Sequence, residues 1–122
     1  MFQPKPHDIC ERTFAFSVQI VPICEGLCAV PGARQVLGNQ LLRSATSIGA
    51  HVEDAQAGQS RPDFISKLSI ALKEARETEY WLRLILASQL DTSRQLEAAL
   101  QEAGELKRIL SAILVSAKKQ AE

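Results

Sequence analysis

Residues 62–88 read PDFISKLSIALKEARETEYWLRLILAS, and their pattern indicates a long α-helix. Its one proline lies at the start, where a missing backbone N–H does little harm to a helix. Ser60, followed three residues later by Asp63, matches a helix-start signal. Apolar residues recur at intervals of three and four, which predicts an amphipathic α-helix. They are Phe64, Leu68, Ala71 or Leu72, Ala75, Leu82, and Ile85 or Leu86.

The rest of the chain shows the same helical period in three further segments. These lie at about residues 9–28, 33–56 and 93–119. In the first segment we expect Asp8 to be the N-cap and Pro22 to kink or loosen the helix. Its apolar face is predicted to consist of Phe14, Val18, Val21, and Leu27 or Cys28. In the last segment, Thr92 and Gln95 form a candidate capping box.

Four amphipathic helices joined by short loops predict an all-α, antiparallel up-down four-helix bundle. We expect residues 1–122 to form one domain with an N-terminal tail at 1–7. The interior glycine at position 49 suggests that another helix packs closely there. Helices two and three turn near residue 58, so residues whose numbers sum to about 117 should lie at one level. Arg43 should then lie beside Glu74 and one turn from Glu77.

The composition is typical of a globular protein and excludes several classes. Apolar residues make up 46% of the 122 residues and charged residues 23%, so disorder of the whole chain is excluded. The 14 Lys and Arg balance the 14 Asp and Glu, which removes the basic excess typical of nucleic-acid-binding proteins. No stretch has the length of an apolar membrane span, and the N-terminus lacks a signal-peptide pattern. We therefore expect a cytoplasmic protein without membrane contact.

Two stretches resemble a known family. Residues 40–48 read QLLRSATSI and residues 71–82 read ALKEARETEYWL. Together they are similar to the four helix bundle protein family, first noticed as reading frames in intervening sequences of bacterial large-subunit ribosomal RNA genes. The similarity covers about residues 8–117. The family usually has Asn, then Glu-Gly or Glu-Ala, where this chain has His51 and then Glu53-Asp54.

The resemblance implies an antiparallel four-helix bundle that assembles into a ring-like homopentamer. A related branch, the accessory protein of diversity-generating retroelements, binds a reverse transcriptase and contacts RNA through a strongly basic surface. The resemblance therefore implies further copies of the chain as partners, with RNA, DNA or a nucleic-acid enzyme as candidates. The zero net charge of this chain is a departure from that branch.

The signature positions are candidates for packing or for an interface. They are Arg43, Ser44, Ser47, His51, Glu53, Glu74, Glu77, Tyr80 and Trp81. An arginine level with two carboxylates suits ion pairing within the bundle or between subunits, and a site for a nucleic acid or another partner is the alternative. Adjacent aromatic residues point about 100° apart on a helix. One can therefore enter the core while the other meets a neighbouring subunit, or stacks on a base.

Four basic residues late in the fourth helix are candidate nucleic-acid contacts. They are Lys107, Arg108, Lys118 and Lys119. A ring would repeat them around its axis and so concentrate their charge despite the zero net charge. A solvated helix end is the alternative interpretation of the same residues.

No pattern in the chain indicates catalytic chemistry. Cys10, Cys24 and Cys28 fall on one helical face. Core packing is favoured over a metal or redox site, because Cys10 lies about 20 Å from Cys24 along a helix. His51 and Glu53 are two residues apart and do not face each other. Because no zinc-protease motif or phosphate-binding glycine loop is present, we expect no catalytic residue, metal or cofactor.

These observations favour a non-catalytic oligomeric scaffold or adaptor, with RNA or a nucleic-acid enzyme as its candidate partner. The first alternative is a purely structural protein–protein oligomer that does not bind nucleic acid. The second alternative, from another class, is a small thiol- or metal-dependent enzyme.

Overall fold

The computed structural model describes residues 6–58 and 60–121. It contains four helices, α1 (Pro6–Cys28), α2 (Ala33–Gln56), α3 (Arg61–Ala87) and α4 (Arg94–Ala121). The described residues form no β-strand, and none of their helices is long and apolar enough to cross a membrane. Each helix packs against its neighbour in sequence, and α1 also contacts α4. The predicted all-α four-helix bundle is confirmed.

Start signals explain where two of the helices begin. Ser60 caps α3, and its hydroxyl oxygen accepts the backbone N–H of Asp63 at 3.2 Å, as predicted. The predicted cap of α1 is wrong, because the helix begins at Pro6 and Asp8 lies within its first turn. A proline suits the first turn of a helix, so the last two residues of the predicted tail are helical. The other five lie outside the described residues. The helix then continues through Pro22.

The capping box predicted for α4 is wrong by one residue. The helix begins at Arg94, and the N-cap is Ser93, whose hydroxyl oxygen accepts the N–H of Leu96 at 3.3 Å. The Asp91 carboxylate accepts the N–H of Ser93 at 2.8 Å. This turn fixes Ser93 rather than Thr92 at the start of the helix.

One stripe from each helix forms the core. The predicted apolar stripe of α3 is buried or half-buried throughout. The largest fully buried side chains are Ile9, Phe16, Ile20, Leu27, Leu41, Ile48, Leu68, Leu82, Ile85, Leu96, Leu106 and Leu110. Burying one such side chain contributes about 1.5–3 kcal/mol relative to leaving it in water.

The apolar face predicted for α1 is right at Leu27, which is fully buried, and wrong at its other three apolar positions. Phe14, Val18 and Val21 are 63%, 57% and 47% exposed. The helix buries Ile9, Thr13, Phe16, Ile20, Ile23, Cys24 and Leu27. Both sets have helical spacing and lie about 140° apart around the helix, so the period alone could not decide between them. We call Phe14, Val18 and Val21 the α1 outer stripe.

Glycines on α2 allow α1 to approach closely. A β-carbon at Gly49 would lie 3.4 Å from the backbone of Thr13, which confirms the predicted close packing. The approach is tighter at Gly38, where a β-carbon would lie 2.9 Å from Leu27 Cβ and from Cys28 Sγ. The two positions fix how α1 lies on α2.

Replacing Gly38 with alanine is expected to destabilise the protein by about 1–3 kcal/mol, because α1 would have to move away. Gly26→Ala is the control, since nothing lies within 4 Å of a β-carbon there. That change should stabilise the helix by about 0.5–1 kcal/mol. Urea unfolding of both variants measures the difference, and equal stabilities would contradict the close approach.

The seam between α1 and α4 is the most open in the bundle. These two helices contact each other much less than the other neighbouring pairs do. A bidentate ion pair spans the seam, with Arg12 Nε and Nη2 donating to the Glu102 carboxylate at 2.7 and 2.8 Å. The sparse contact leaves α1 supported mainly by α2.

Candidate functional site

The two signature stretches face each other across the seam between α2 and α3. Arg43 Nη1 donates to Glu74 at 3.3 Å, and its Nη2 donates to Glu77 at 2.9 Å. The hydroxyl oxygens of Thr78 and Ser44 lie 2.9 Å apart and are fully buried. The level predicted for Arg43 is therefore confirmed. We call these five residues the seam cluster.

Arg43 donates hydrogen bonds to both carboxylates of the seam cluster, and the bond to Glu77 is the shorter of the two. The Glu74 side chain is 9% exposed, that of Glu77 33% and that of Arg43 51%. Burial raises the pKa of Glu74, and the hydrogen bond and negative charge of Glu77 raise it further. Burial is the largest single influence on Glu77 and acts to raise its pKa, but the hydrogen bonds with Arg43 and Glu74 and the charges of Arg43 and Lys73 together outweigh it, so the pKa falls below its usual range. Glu77 is therefore the better ionised partner of Arg43.

Opposite pKa shifts predict opposite effects of removing the two carboxylates. Because the pKa of Glu77 is lower in the folded protein than in the unfolded chain, its ionised carboxylate stabilises the fold at any pH above its unfolded pKa. This contribution is lost as the pH falls through the pKa that Glu77 has in the folded protein. Glu77→Gln should thus destabilise at neutral pH by less than about 1 kcal/mol, because the pair is partly exposed. The deficit should disappear in acid.

The raised pKa of Glu74 has the reverse sign, because its ionisation becomes unfavourable to folding as the pH rises above the ordinary value of 4.5. Glu74→Gln should therefore not destabilise at neutral pH. Urea unfolding of both glutamine variants in acid and at neutral pH tests the assignment. A larger neutral-pH deficit for Glu74→Gln than for Glu77→Gln would contradict it.

The other signature residues of α2 do not converge on a metal or acid–base site. The Ser47 hydroxyl donates to the Arg43 carbonyl at 2.7 Å, and His51 Nδ1 lies 2.8 Å from the Ser47 carbonyl. Glu53 is exposed on the side of α2 near α1, where burial and then the Glu53 charge raise the pKa of Cys10. The described residues contain no group of three side chains able to hold a metal.

The two adjacent aromatic residues of α3 divide their roles. Trp81 is half-buried against the core, and its Nε1 is buried without a hydrogen-bond partner among the described residues. Tyr80 is 53% exposed. Its ring meets that of Trp81 edge to face, with centroids 5.2 Å apart and planes at 73°. Trp81 therefore packs inward and holds Tyr80 at the surface.

The basic residues predicted to cluster on α4 are separated in the structure. Lys107 Nζ donates to Glu79 at 2.8 Å, and Arg108 pairs at 3.0 Å with a carboxylate one turn away. Lys118 and Lys119 are exposed in the last turn. Of the four predicted residues, Lys107 and Arg108 are paired, whereas Lys118 and Lys119 form no ion pair with any described residue. The four do not form one uninterrupted basic surface.

The three cysteines are free thiols with no common site. Burial, and then the neighbouring Cys28, raises the pKa of Cys24 to about 12. Burial likewise raises the pKa of Cys10. The Cys28 thiol lies 3.3 Å from Asn39 Oδ1. Thiols with raised pKa values are poor nucleophiles, so this geometry does not favour a thiol enzyme.

The surface feature that the sequence did not reveal is the α1 outer stripe. The sequence alone predicts its apolar residues to be in the core, because they repeat with a helical period. A second set of apolar residues in α1 could have revealed this stripe. That set has more large side chains and spans the whole helix, so it is the better candidate for the core. Its large members are Ile9, Phe16, Ile20, Ile23 and Leu27.

Comparisons with known proteins agree with the fold and with the signature stretches. Residues 5–112 match the model of the family described as 23S rRNA-intervening sequence protein. A comparison with curated proteins finds no match. The chain is similar to a crystal structure from Bacteroides thetaiotaomicron, described as a protein with unknown function from the S23 ribosomal protein family. The two share 40% identity with a TM-score of 0.79, over 87% of this chain and 97% of that one. The chain belongs to the 23S rRNA-intervening sequence protein family.

Proposed function

We propose that this protein is a non-catalytic, cytoplasmic scaffold that assembles with copies of itself through the α1 outer stripe. The supporting observation is the exposure of Phe14 and Val18, at 63% and 57%, in line with Val21. A line of large apolar side chains facing water is typical of a surface that another protein covers. Burying it between copies would remove that area from water.

A second copy offers a surface that suits the α1 outer stripe. The outer face of α4 has a shallow groove lined by Ser111, Ala112, Val115, Ser116 and Lys119. Val115 is 55% exposed. Contact between two different faces of one chain joins subunits head to tail, and it closes into a ring when the rotation allows. By the family resemblance we propose a ring of five.

Charge distribution also favours a head-to-tail contact. Helix α1 contains one Arg against three Asp or Glu, whereas α4 contains five Lys or Arg against three Glu. The zero net charge of the chain therefore conceals an acidic α1 and a basic α4. Placing α1 of one copy against α4 of the next brings opposite charges together.

Light scattering after size-exclusion chromatography tests the scaffold. Across a dilution series we expect a mass several times that of the 13.4 kDa chain, and about five times if the ring is a pentamer. Particles with the mass of a single chain at micromolar concentration would contradict self-assembly.

A nucleic-acid partner is the second candidate function, supported by the name of the family and by the exposed Lys118 and Lys119. Fluorescence anisotropy with structured ribosomal RNA and unrelated RNA, at low and physiological salt, tests it. Binding that weakens steeply with salt would support contact with phosphates. If the protein binds no RNA at low salt, the remaining function is that of a structural oligomer that does not contact nucleic acid.

A further inference from the structure

Helix α3 presents four exposed side chains in a straight line, and three of them are cationic. Lys73, Arg76, Tyr80 and Arg83 follow one another at intervals of three, four and three residues. This spacing places them on one side of the helix over about 15 Å. All four are exposed. We call them the α3 stripe.

The two arginines of the α3 stripe have no carboxylate partner among the described residues, whereas the charge of Lys73 helps to lower the pKa of Glu77. Within the described part of the chain, Arg76 and Arg83 have no hydrogen bond or ion pair, and Lys73 forms no ion pair. The carboxylates between them on α3 point to the neighbouring helices, where they pair with Arg43 of α2 and Lys107 of α4. The stripe is therefore a local concentration of positive charge on a chain of zero net charge.

The aromatic ring in the middle of the stripe is held in place. Tyr80 is 53% exposed, and its ring meets Trp81 edge to face at 5.2 Å. Trp81 is itself packed against the core. Because the support is rigid, Tyr80 keeps an aromatic surface at the exterior between cations on both sides.

We infer that the α3 stripe binds single-stranded nucleic acid, with the cations on backbone phosphates and a base stacked on Tyr80. A line of positive charge beside an aromatic platform is how proteins bind single strands without sequence preference. Tyrosine and arginine are also enriched at protein–protein interfaces, so a subunit contact is the alternative that the assembly measurement below tests. The inference deepens the nucleic-acid candidate above and does not require the α1 contact.

Anisotropy with a labelled single-stranded oligouridylate tests the charges of the stripe. Arg76→Gln combined with Arg83→Gln should weaken binding at low salt by about tenfold or more. It should also lower the slope of log affinity against log salt by about 1.4, because each phosphate contact on a single strand contributes about 0.7. The matched control is Arg61→Gln combined with Arg94→Gln, which removes the same charge from exposed positions at the starts of α3 and α4. We expect the control to bind within about twofold of the unaltered protein.

Substitutions at Tyr80 test the stacking platform separately from charge. Tyr80→Leu should weaken binding by about tenfold, and the salt slope should not change, because no cation is lost. Tyr80→Phe keeps the aromatic ring and should bind as the unaltered protein does. A merely structural role for the side chain would not reproduce this pattern.

The outcomes separate this inference from the proposed function. If both double variants weaken binding equally, or if Tyr80→Leu binds normally, the protein binds RNA elsewhere and the inference is wrong. If the unaltered protein does not bind oligouridylate at low salt, the inference and the nucleic-acid candidate both fail. Light scattering accompanies each variant. Loss of assembly in the Arg76 and Arg83 variant would make the stripe a subunit contact and would also overturn the inference.

Discussion

Replacing Phe14 and Val18 together with glutamate is expected to convert the assembled protein into folded monomers. Both side chains are more than half exposed in the single chain, at 63% and 57%, so the bundle itself tolerates charge there. In a contact between copies, each glutamate would be buried without a partner, which is strongly unfavourable. Light scattering should give the mass of one chain, and circular dichroism should show unchanged helix content.

Val36 provides a matched control for this experiment. It is an exposed valine on α2, at 61%, and lies outside the α1 outer stripe. Val36→Glu should leave assembly intact. Dissociation of this control, or continued assembly of the double variant, would show that the α1 outer stripe is not the contact. Loss of helix content in the double variant would contradict the exposure of Phe14 and Val18.

The relation of α2 to α3 could be predicted from the sequence because local signals fix it. Ser60 caps α3 as its spacing from Asp63 indicates. The turn between the helices is only four residues long, from 57 to 60, so it leaves little freedom in their relative level. Arg43 consequently meets Glu74 and Glu77 where the residue numbers place it.

The orientation of α1 could not be predicted because two of its faces are apolar. A core face and an assembly face are built from the same residue types, and helical periodicity gives only their spacing. Phe16 and Phe14 illustrate the problem, since they are identical residues that are 1% and 63% exposed. What decides between them is which side α2 covers, and that depends on contacts such as the one at Gly38.

The available charges could not be predicted either, because ion pairing depends on distances between helices. Lys107 looks free in sequence, yet it pairs with Glu79 of the neighbouring helix α3. Arg76 and Arg83 lie in a stretch rich in glutamate, yet those glutamates pair with other helices. Composition therefore gives the total charge correctly but not the surface on which it is uncompensated.

Phe16→Ala is expected to lower the free energy of unfolding by about 3–5 kcal/mol, because it removes a fully buried ring and leaves a cavity. Domains of this size are stable by about 5–15 kcal/mol, so the loss is a large part of the total. Phe14→Ala, two residues away on the same helix, should change the stability of the single chain by only about 0.5 kcal/mol.

The comparison is best made in a Val18→Glu background. Assembly adds to the apparent free energy of unfolding by mass action. In an assembled protein, Phe14→Ala would also weaken the contact between copies, and the lost assembly energy would be added to the effect on the single chain. Once light scattering gives the mass of one chain for this background, urea unfolding reports the burial of each ring alone. Similar losses for the two alanine variants, or a larger loss for Phe14→Ala, would mean that α1 packs with Phe14, Val18 and Val21 inward. The α1 outer stripe would then not exist, and the self-assembly proposed from it would lose its support.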